Sequence, residues 1–328
     1  LGFKSEGTNL NLRYQNNTII ADSLFGIKYN LSNFDLNKYG FNHVTSEKTI
    51  GLYQNNNASQ LAILTDGIYN NIDFTVNTLD NQTSLLNTLS GLNLTYFKRA
   101  PSQLFDKDAK SLNQRVAKNV SNSNKDFVTI TYQVIAPPHS QLYVSIPNIS
   151  WSDDNNHSLS ITVNGVTKNQ VTDNTFDFFD LGYFETESMV TIKLSFPGNK
   201  AISFDNPSFY ALDTQNYQIA MDTINERDSK VTTSKNKVFV DYSSKTNASL
   251  FFTIPYDKGW TATINHKKVK IQRAQKGFMK VDVPSGKGKV VLTFIPYGLK
   301  TGLLISLLAS IIFCCYAYFI RKTTIIQK

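Results

Sequence analysis

The sequence predicts a mainly β protein with some α structure, closed by one membrane-spanning helix. Three observations point there. From residue 126 onward, short runs of period-two alternation follow one another, separated by turn residues. Two internal stretches instead carry the three-to-four-residue apolar spacing of a helix. Near the end, TGLLISLLASIIFCCYAYFI (residues 301–320) runs 20 residues without a charge. At 1.5 Å per helical residue it spans about 30 Å, the thickness of a bilayer's hydrocarbon core.

In chain order, residues 1–125 read as a mixed α/β segment with a linker. TIIADSLFGIKYNLS (18–32) is a turn or short helix leading into a strand. Residues 50–53 and 61–64 are apolar runs suited to strands. NQTSLLNTLSG (81–91) predicts a helix: Leu85, Leu86 and Leu89 share one face and Gly91 suits its C-terminal cap. Residues 106–125 are polar and charged, as a linker would be. Residues 126–212 then hold six strand-like runs and predict a jelly-roll-like β-sandwich. Within it, Asn164-Gly165 signals a tight hairpin turn. Residues 213–229 predict a connecting helix, capped by Asp213 or Thr214, with Tyr217, Met221 and Ile224 as its apolar stripe. Residues 230–298 predict a second, smaller β-sandwich. There WTATI-NHKK-VKIQ and FMKVDVP-SGKG-KVVLTFIPY each read as a hairpin. Residues 299–320 form the span and 321–328 a cytoplasmic tail.

Charge is uneven. The whole chain carries +8, yet residues 1–229 hold 16 Lys and Arg against 22 Asp and Glu, whereas residues 230–298 hold 13 against 3. The segment next to the span is therefore a basic body. It suits polyanions such as acidic lipid headgroups or phosphate polymers, and outside a cell nucleic acid is no expected partner. Lys300 precedes the span, and Arg321, Lys322 and Lys328 follow it. This bias places the tail in the cytoplasm and residues 1–298 outside. No secretion signal opens the chain, so the expectation is the C-terminal piece of a longer membrane protein. Both cysteines, Cys314 and Cys315, fall inside the span, so the exterior part is expected to have no disulfide. Nine N-x-S/T sequons are either glycosylation sites or chance in an Asn/Ser/Thr-rich chain, and the lack of exterior cysteines favours chance.

Catalytic motifs are missing: no H-E-x-x-H, no G-x-S-x-G, no phosphate loop, and four scattered histidines. The oxygen-rich Asp153-Asp154-Asn155-Asn156 suits either a calcium ion or a solvated turn. Asp205, beside Asn206, suits a structural calcium or a structural hydrogen bond. Trp151 and Trp260 are core residues or sugar-stacking platforms. Tyr256 leads the turn Tyr256-Asp257-Lys258-Gly259 into Trp260.

The run IPYDKGWTATINHKKVKI, followed by FMKVDVPSGKGKVVLTFIPYGLKTGLLISLL, closely resembles the C-terminal end of the YfhO family of bacterial membrane proteins. The likeness includes Pro255-Tyr256-Asp257-Lys258-Gly259-Trp260, Pro284 and Gly286 before a strand, and Gly298 and Gly302 at the start of the span. Upstream, ADSLFGIKY (21–29), Leu52-Tyr53-Gln54-Asn55 and NQTSLLNTLSG resemble family segments in the same order. One departure is Asn265-His266 where the family often has Asp-Gly, which leaves the turn type of that hairpin open. The resemblance implies a GT-C-type envelope glycosyltransferase. Its donor would be undecaprenyl-phosphate-linked sugar and its acceptor a teichoic acid, with lipoteichoic acid favoured. It also implies that the catalytic acid lies on an early exterior loop outside these residues, so none is assigned. Lys267, Lys268, Lys270, Arg273 and Lys276 are then candidates for acceptor contact, with Trp151, Tyr256 and Trp260 for carbohydrate; the other reading of the lysines is that they solubilise the strands or meet anionic lipid. The alternatives are a membrane-anchored carbohydrate-binding or adhesion module without catalysis, and an envelope scaffold.

Overall fold

A computed structural model describes residues 4–6, 11–13, 18–107, 111–112, 116–118, 127–151, 157–172, 178–197 and 202–326. The protein is mostly β, built from several antiparallel sheets, with three internal helices and one long C-terminal helix among the described residues.

The first helix, α1 (Ile19–Leu24), is capped by Thr18, whose hydroxyl accepts from the Ala21 amide. Every residue of α1 is buried. Three strands, Tyr29–Ser32, Ile50–Asn55 and Phe41–Glu47, form a small sheet beside it. The second helix, α2 (Thr78–Ser90), begins before the expected residue 81. Asn77 caps it by accepting from the amides of Leu79 and Asp80. Gly91 ends it in the left-handed region at φ 77°, the conformation glycine adopts without steric cost. The third helix, α3 (Thr214–Asn225), is capped by Asp213 and buries Tyr217, Met221 and Ile224, the stripe read from the sequence. Leu85, Leu86 and Leu89 of α2 meet that stripe in one apolar cluster with Ile19 and Ile20.

The middle of the chain builds two larger sheets around a second cluster. One runs Val166–Thr172, His157–Val163, Ser188–Pro197, Phe127–Ala136, Ser102–Lys107. The other runs Phe178–Phe184, Ser140–Ser145, Ser208–Asp213, Phe97–Arg99. Ile130, Val134, Leu142, Val144, Ile161, Val190, Ile192 and Leu194 are buried between them. Asn164 and Gly165 take φ values of 46° and 90°, which gives the tight hairpin expected there. Pairing crosses the division drawn at residue 126, because Phe97–Arg99 and Ser102–Lys107 are strands of these sheets. Within 106–125, read as linker, Ser111–Leu112 and Val116–Lys118 form a further sheet with Ile202–Asp205 and Ser150–Trp151.

The C-terminal unit also has two sheets around one cluster. The five-stranded sheet runs Ser229–Ser234, Lys237–Ser244, Gly286–Phe294, Trp260–Ile264, Lys267–Val269. The four-stranded sheet runs Gln272–Ala274, Phe278–Val283, Ala248–Phe252, Ala62–Leu64. One expected hairpin is corrected here. Phe278–Val283 and Gly286–Phe294 do not pair; the chain crosses at Pro284 and Ser285 from one sheet to the other. Met279, Val281 and Val283 face Val290 and Leu292 across the core, a task a flat hairpin could not perform. An upstream strand, Ala62–Leu64, completes the second sheet by pairing with Ala248–Phe252.

Arg227 ties these parts together. Its guanidinium donates to the carbonyls of Leu64 at 2.8 Å, Leu89 at 2.6 Å and Ser90 at 2.5 Å. The last two are terminal α2 carbonyls, which have no intrahelical partner. Burial lowers the Arg227 pKa, and Asp66 opposes that shift.

The last helix, α4 (Leu299–Ile326), contains a 22-residue apolar stretch, Leu299–Ile320, long enough to cross a membrane. Its large side chains, among them Leu304, Ile312, Phe313 and Phe319, stand exposed along the whole stretch.

Candidate functional site at the basic edge

The candidate cations sit where the C-terminal unit turns from one sheet to the other. Lys267–Val269 is the edge strand of the five-stranded sheet and Gln272–Ala274 the edge strand of its partner. Lys267, Lys268, Lys270, Arg273 and Lys276 therefore lie on one continuous border, and all five are exposed. The hairpin feeding that border turns at Asn265-His266, with φ values of 47° and 69°. The turn is the two-residue type that favours Asn-Gly, with His266 in the place glycine would take.

Register decides where each cation points along the unit. Trp260 pairs with Phe294 and Ile264 with Val290, so the strand rises away from α4 as it runs toward Asn265. Lys267 stands opposite Ile264, about 13 Å up the strand from Trp260 at 3.3 Å per residue. The chain then descends. Ala274 pairs with Phe278, and the turn between them carries Lys276, held at φ 62°. That turn joins the Tyr256 loop, where the Tyr256 amide donates to Gly277 at 2.8 Å. Lys267 and Lys268 thus lie at the outer end of the border, while Arg273 and Lys276 lie near the helix end.

The aromatics are placed separately. Arg273 covers the Tyr256 ring, its guanidinium carbon 4.7 Å from the centroid. Trp260 is half-buried, its ring 4.9 Å from that of Phe294. Gly259 precedes it, and a Cβ there would lie 2.3 Å from the Ile295 carbonyl oxygen, so only glycine fits. Trp151 belongs to a sheet of the middle unit, away from this border, and its side chain lies outside the described residues. Asp205 accepts a 2.7 Å hydrogen bond from Asn148 Nδ2. No group of three or more His, Cys, Asp or Glu side chains among the described residues could hold a metal. The Asp153-Asp154-Asn155-Asn156 loop lies outside the described residues. Of the sequons, Asn57 and Asn81 are buried, and the Asn81 amide is bonded on both sides to Thr75.

A polar network fixes the border from behind, and the sequence did not announce it. Asp282 accepts from Ser249 at 2.6 Å, from Gln272 at 2.6 Å and from Lys280 at 3.1 Å. Burial pushes its carboxyl up, but these hydrogen bonds outweigh that and leave its pKa below the usual value. Lys280 is buried and also donates to the Tyr69 carbonyl at 2.7 Å. Gln275 accepts from the Tyr69 hydroxyl and from the Ile72 amide, each at 2.7 Å. The edge strand is therefore held in one position, and its exposed cations project from a fixed base.

A family model described as bacterial membrane protein YfhO matches residues 1–306. An uncharacterised protein named YfhO, from Bacillus subtilis (strain 168), is 26% identical over 135 residues, which is 39% of this chain and 16% of that protein. Among solved structures, a family two carbohydrate esterase from Cellvibrio japonicus aligns at 9% identity and a TM-score of 0.21, covering 35% of this chain and 34% of the esterase. A Paenibacillus cycloisomaltooligosaccharide glucanotransferase, solved with cycloisomaltoheptaose, aligns at 9% identity and a TM-score of 0.26, covering 69% of this chain and 52% of its own. At those scores neither structure assigns a fold or a role.

Proposed function

Because the chain belongs to the YfhO family of bacterial membrane proteins, we propose that it is the extracytoplasmic C-terminal part of an envelope glycosyltransferase. In this reading α4 returns the chain to the cytoplasm and residues 1–298 lie outside. The enzyme transfers sugar from undecaprenyl-phosphate-sugar to a teichoic acid, lipoteichoic acid first among the candidates. This part does not perform the transfer; it holds the acceptor near the membrane.

The observation that carries the reading is the basic border. Lys267, Lys268, Lys270 and Arg273 are exposed along adjoining edge strands above an apolar helix. A row of point charges on a fixed base attracts a flexible chain of phosphates without demanding one register, as positioning of a polymer requires. The family match does not favour an anchored adhesion module.

The test is binding of lipoteichoic acid to the chain in detergent, with Lys267, Lys268 and Lys270 changed together to Gln. Binding is expected to fall severalfold, and the parent's affinity to drop as salt screens the charges. Equal affinity of parent and variant at low salt would sink the assignment.

A further inference from the structure

The strand register gathers a second set of cations, which shares only Lys276 with the border. Phe294, the last residue of its strand, is bonded through its amide to the Asn236 carbonyl at 2.9 Å. The Ile295 amide bonds the Gly259 carbonyl at 3.0 Å, and the Tyr256 amide bonds Gly277. Three turns therefore lie side by side at the end of the unit where the chain enters α4. Each presents an exposed lysine: Lys235 on the first, Lys258 on the second, Lys276 on the third. Lys300 adds a fourth at the start of α4. Tyr297 stands 80% exposed beside them, with the Lys258 ammonium 5.6 Å from its ring. Asp257 is the one carboxylate on these three turns, and its Oδ1 is engaged by the Gly259 amide at 2.6 Å.

The distance to the helix is short. From Phe294 to Leu299 the chain could extend at most about 17 Å. The Leu299 amide already folds back to the Pro296 carbonyl at 3.1 Å, which shortens it further. The headgroup layer is several ångströms thick on each side of the hydrocarbon. Lysine ammoniums on flexible stems, with a tyrosine at the boundary, match what an interface binds.

We propose that this end of the unit is a docking face for anionic lipid headgroups, seating the exterior region on the bilayer with its basic border upright. The four lysines contact lipid phosphate; Tyr297 sits at the headgroup level; Lys267 and Lys268 point away from the membrane and stay free for other polyanions. This rests on α4 crossing a membrane and not on the glycosyl-transfer reading.

The experiment is amide hydrogen exchange on the whole 328-residue chain in nanodiscs. One set contains phosphatidylcholine alone, the other an equal mixture with phosphatidylglycerol. Residues 234–237, 254–259 and 275–277 are expected to exchange about fivefold more slowly in the anionic discs, the partitioning one surface lysine typically supplies. Molar salt, with a Debye length of about 3 Å, should erase the difference. Changing Lys235 and Lys258 together to Gln should cut it at least in half, while leaving lipoteichoic acid binding mostly in place. The triple change at Lys267, Lys268 and Lys270 should do the reverse. Equal exchange in the two lipids, or protection undiminished by loss of Lys235 and Lys258, would overturn the proposal.

Discussion

Replacing Arg227 by Met should loosen the joint between the helices and the C-terminal unit. The guanidinium makes three hydrogen bonds to carbonyls, at Leu64, Leu89 and Ser90. A hydrogen bond to a charged group contributes about 1.5–3 kcal/mol. The group is half-buried, so water can take over part of the vacated positions, and the three bonds come from one guanidinium and do not add. We expect about 3 kcal/mol of lost stability. Met keeps the apolar stem, so packing is nearly unchanged and the loss reports the head group. Thermal unfolding in detergent should move down by roughly 5 °C. Hydrogen exchange should speed up at the end of α2 and in Ala62–Leu64, with α4 unaffected. Lys at this position should recover only part of the loss, since one ammonium cannot reproduce the planar fork. A Met variant within about 0.5 kcal/mol of the parent, the range of inert surface changes, would refute this account. So would full recovery by Lys.

Two further outcomes follow from local geometry. His266 sits at φ 69°, and a non-glycine residue held in that region costs roughly 1–2 kcal/mol. His266→Gly should therefore raise stability by about 1 kcal/mol, read by urea unfolding, and a loss of stability would show that the ring contributes a contact here. Asp282 has a folded-state pKa below its unfolded value of about 3.9. Its stabilisation is therefore fully present above that value and lost as pH falls through the folded pKa. Asp282→Asn should melt below the parent at neutral pH, and the two curves should converge under acid; a constant gap down to strong acid would contradict the sign.

Much of the fold could be read from local pattern, because local rules govern it. The Tyr217, Met221 and Ile224 stripe, the Gly91 cap and the Asn164-Gly165 turn are each decided within a few residues. The span is decided by length and polarity alone. What escaped was long-range. Ala62–Leu64 reads as an isolated strand, since its partner lies far downstream. Phe278–Val283 and Gly286–Phe294 look like a hairpin, because alternation does not reveal which sheet a strand joins. The same holds for the site. Lys267, Lys268, Lys270, Arg273 and Lys276 were legible as a cluster, but register splits them between two ends of one unit. Lys235 and Lys258 join Lys276 only through the bonds of Asn236, Gly259 and Gly277.

The strand Ala62–Leu64 also sets a clock on biogenesis. Thr65, just beyond it, bonds Ser249, which lies 184 positions later in the chain. At translation rates of 5–20 residues per second, its partner emerges roughly 10–40 s afterwards. For that interval Ala62, Ile63 and Leu64, all buried in the finished protein, have no sheet to join. An early segment then waits for the late one, and chaperones that guard open strand edges would find their client there.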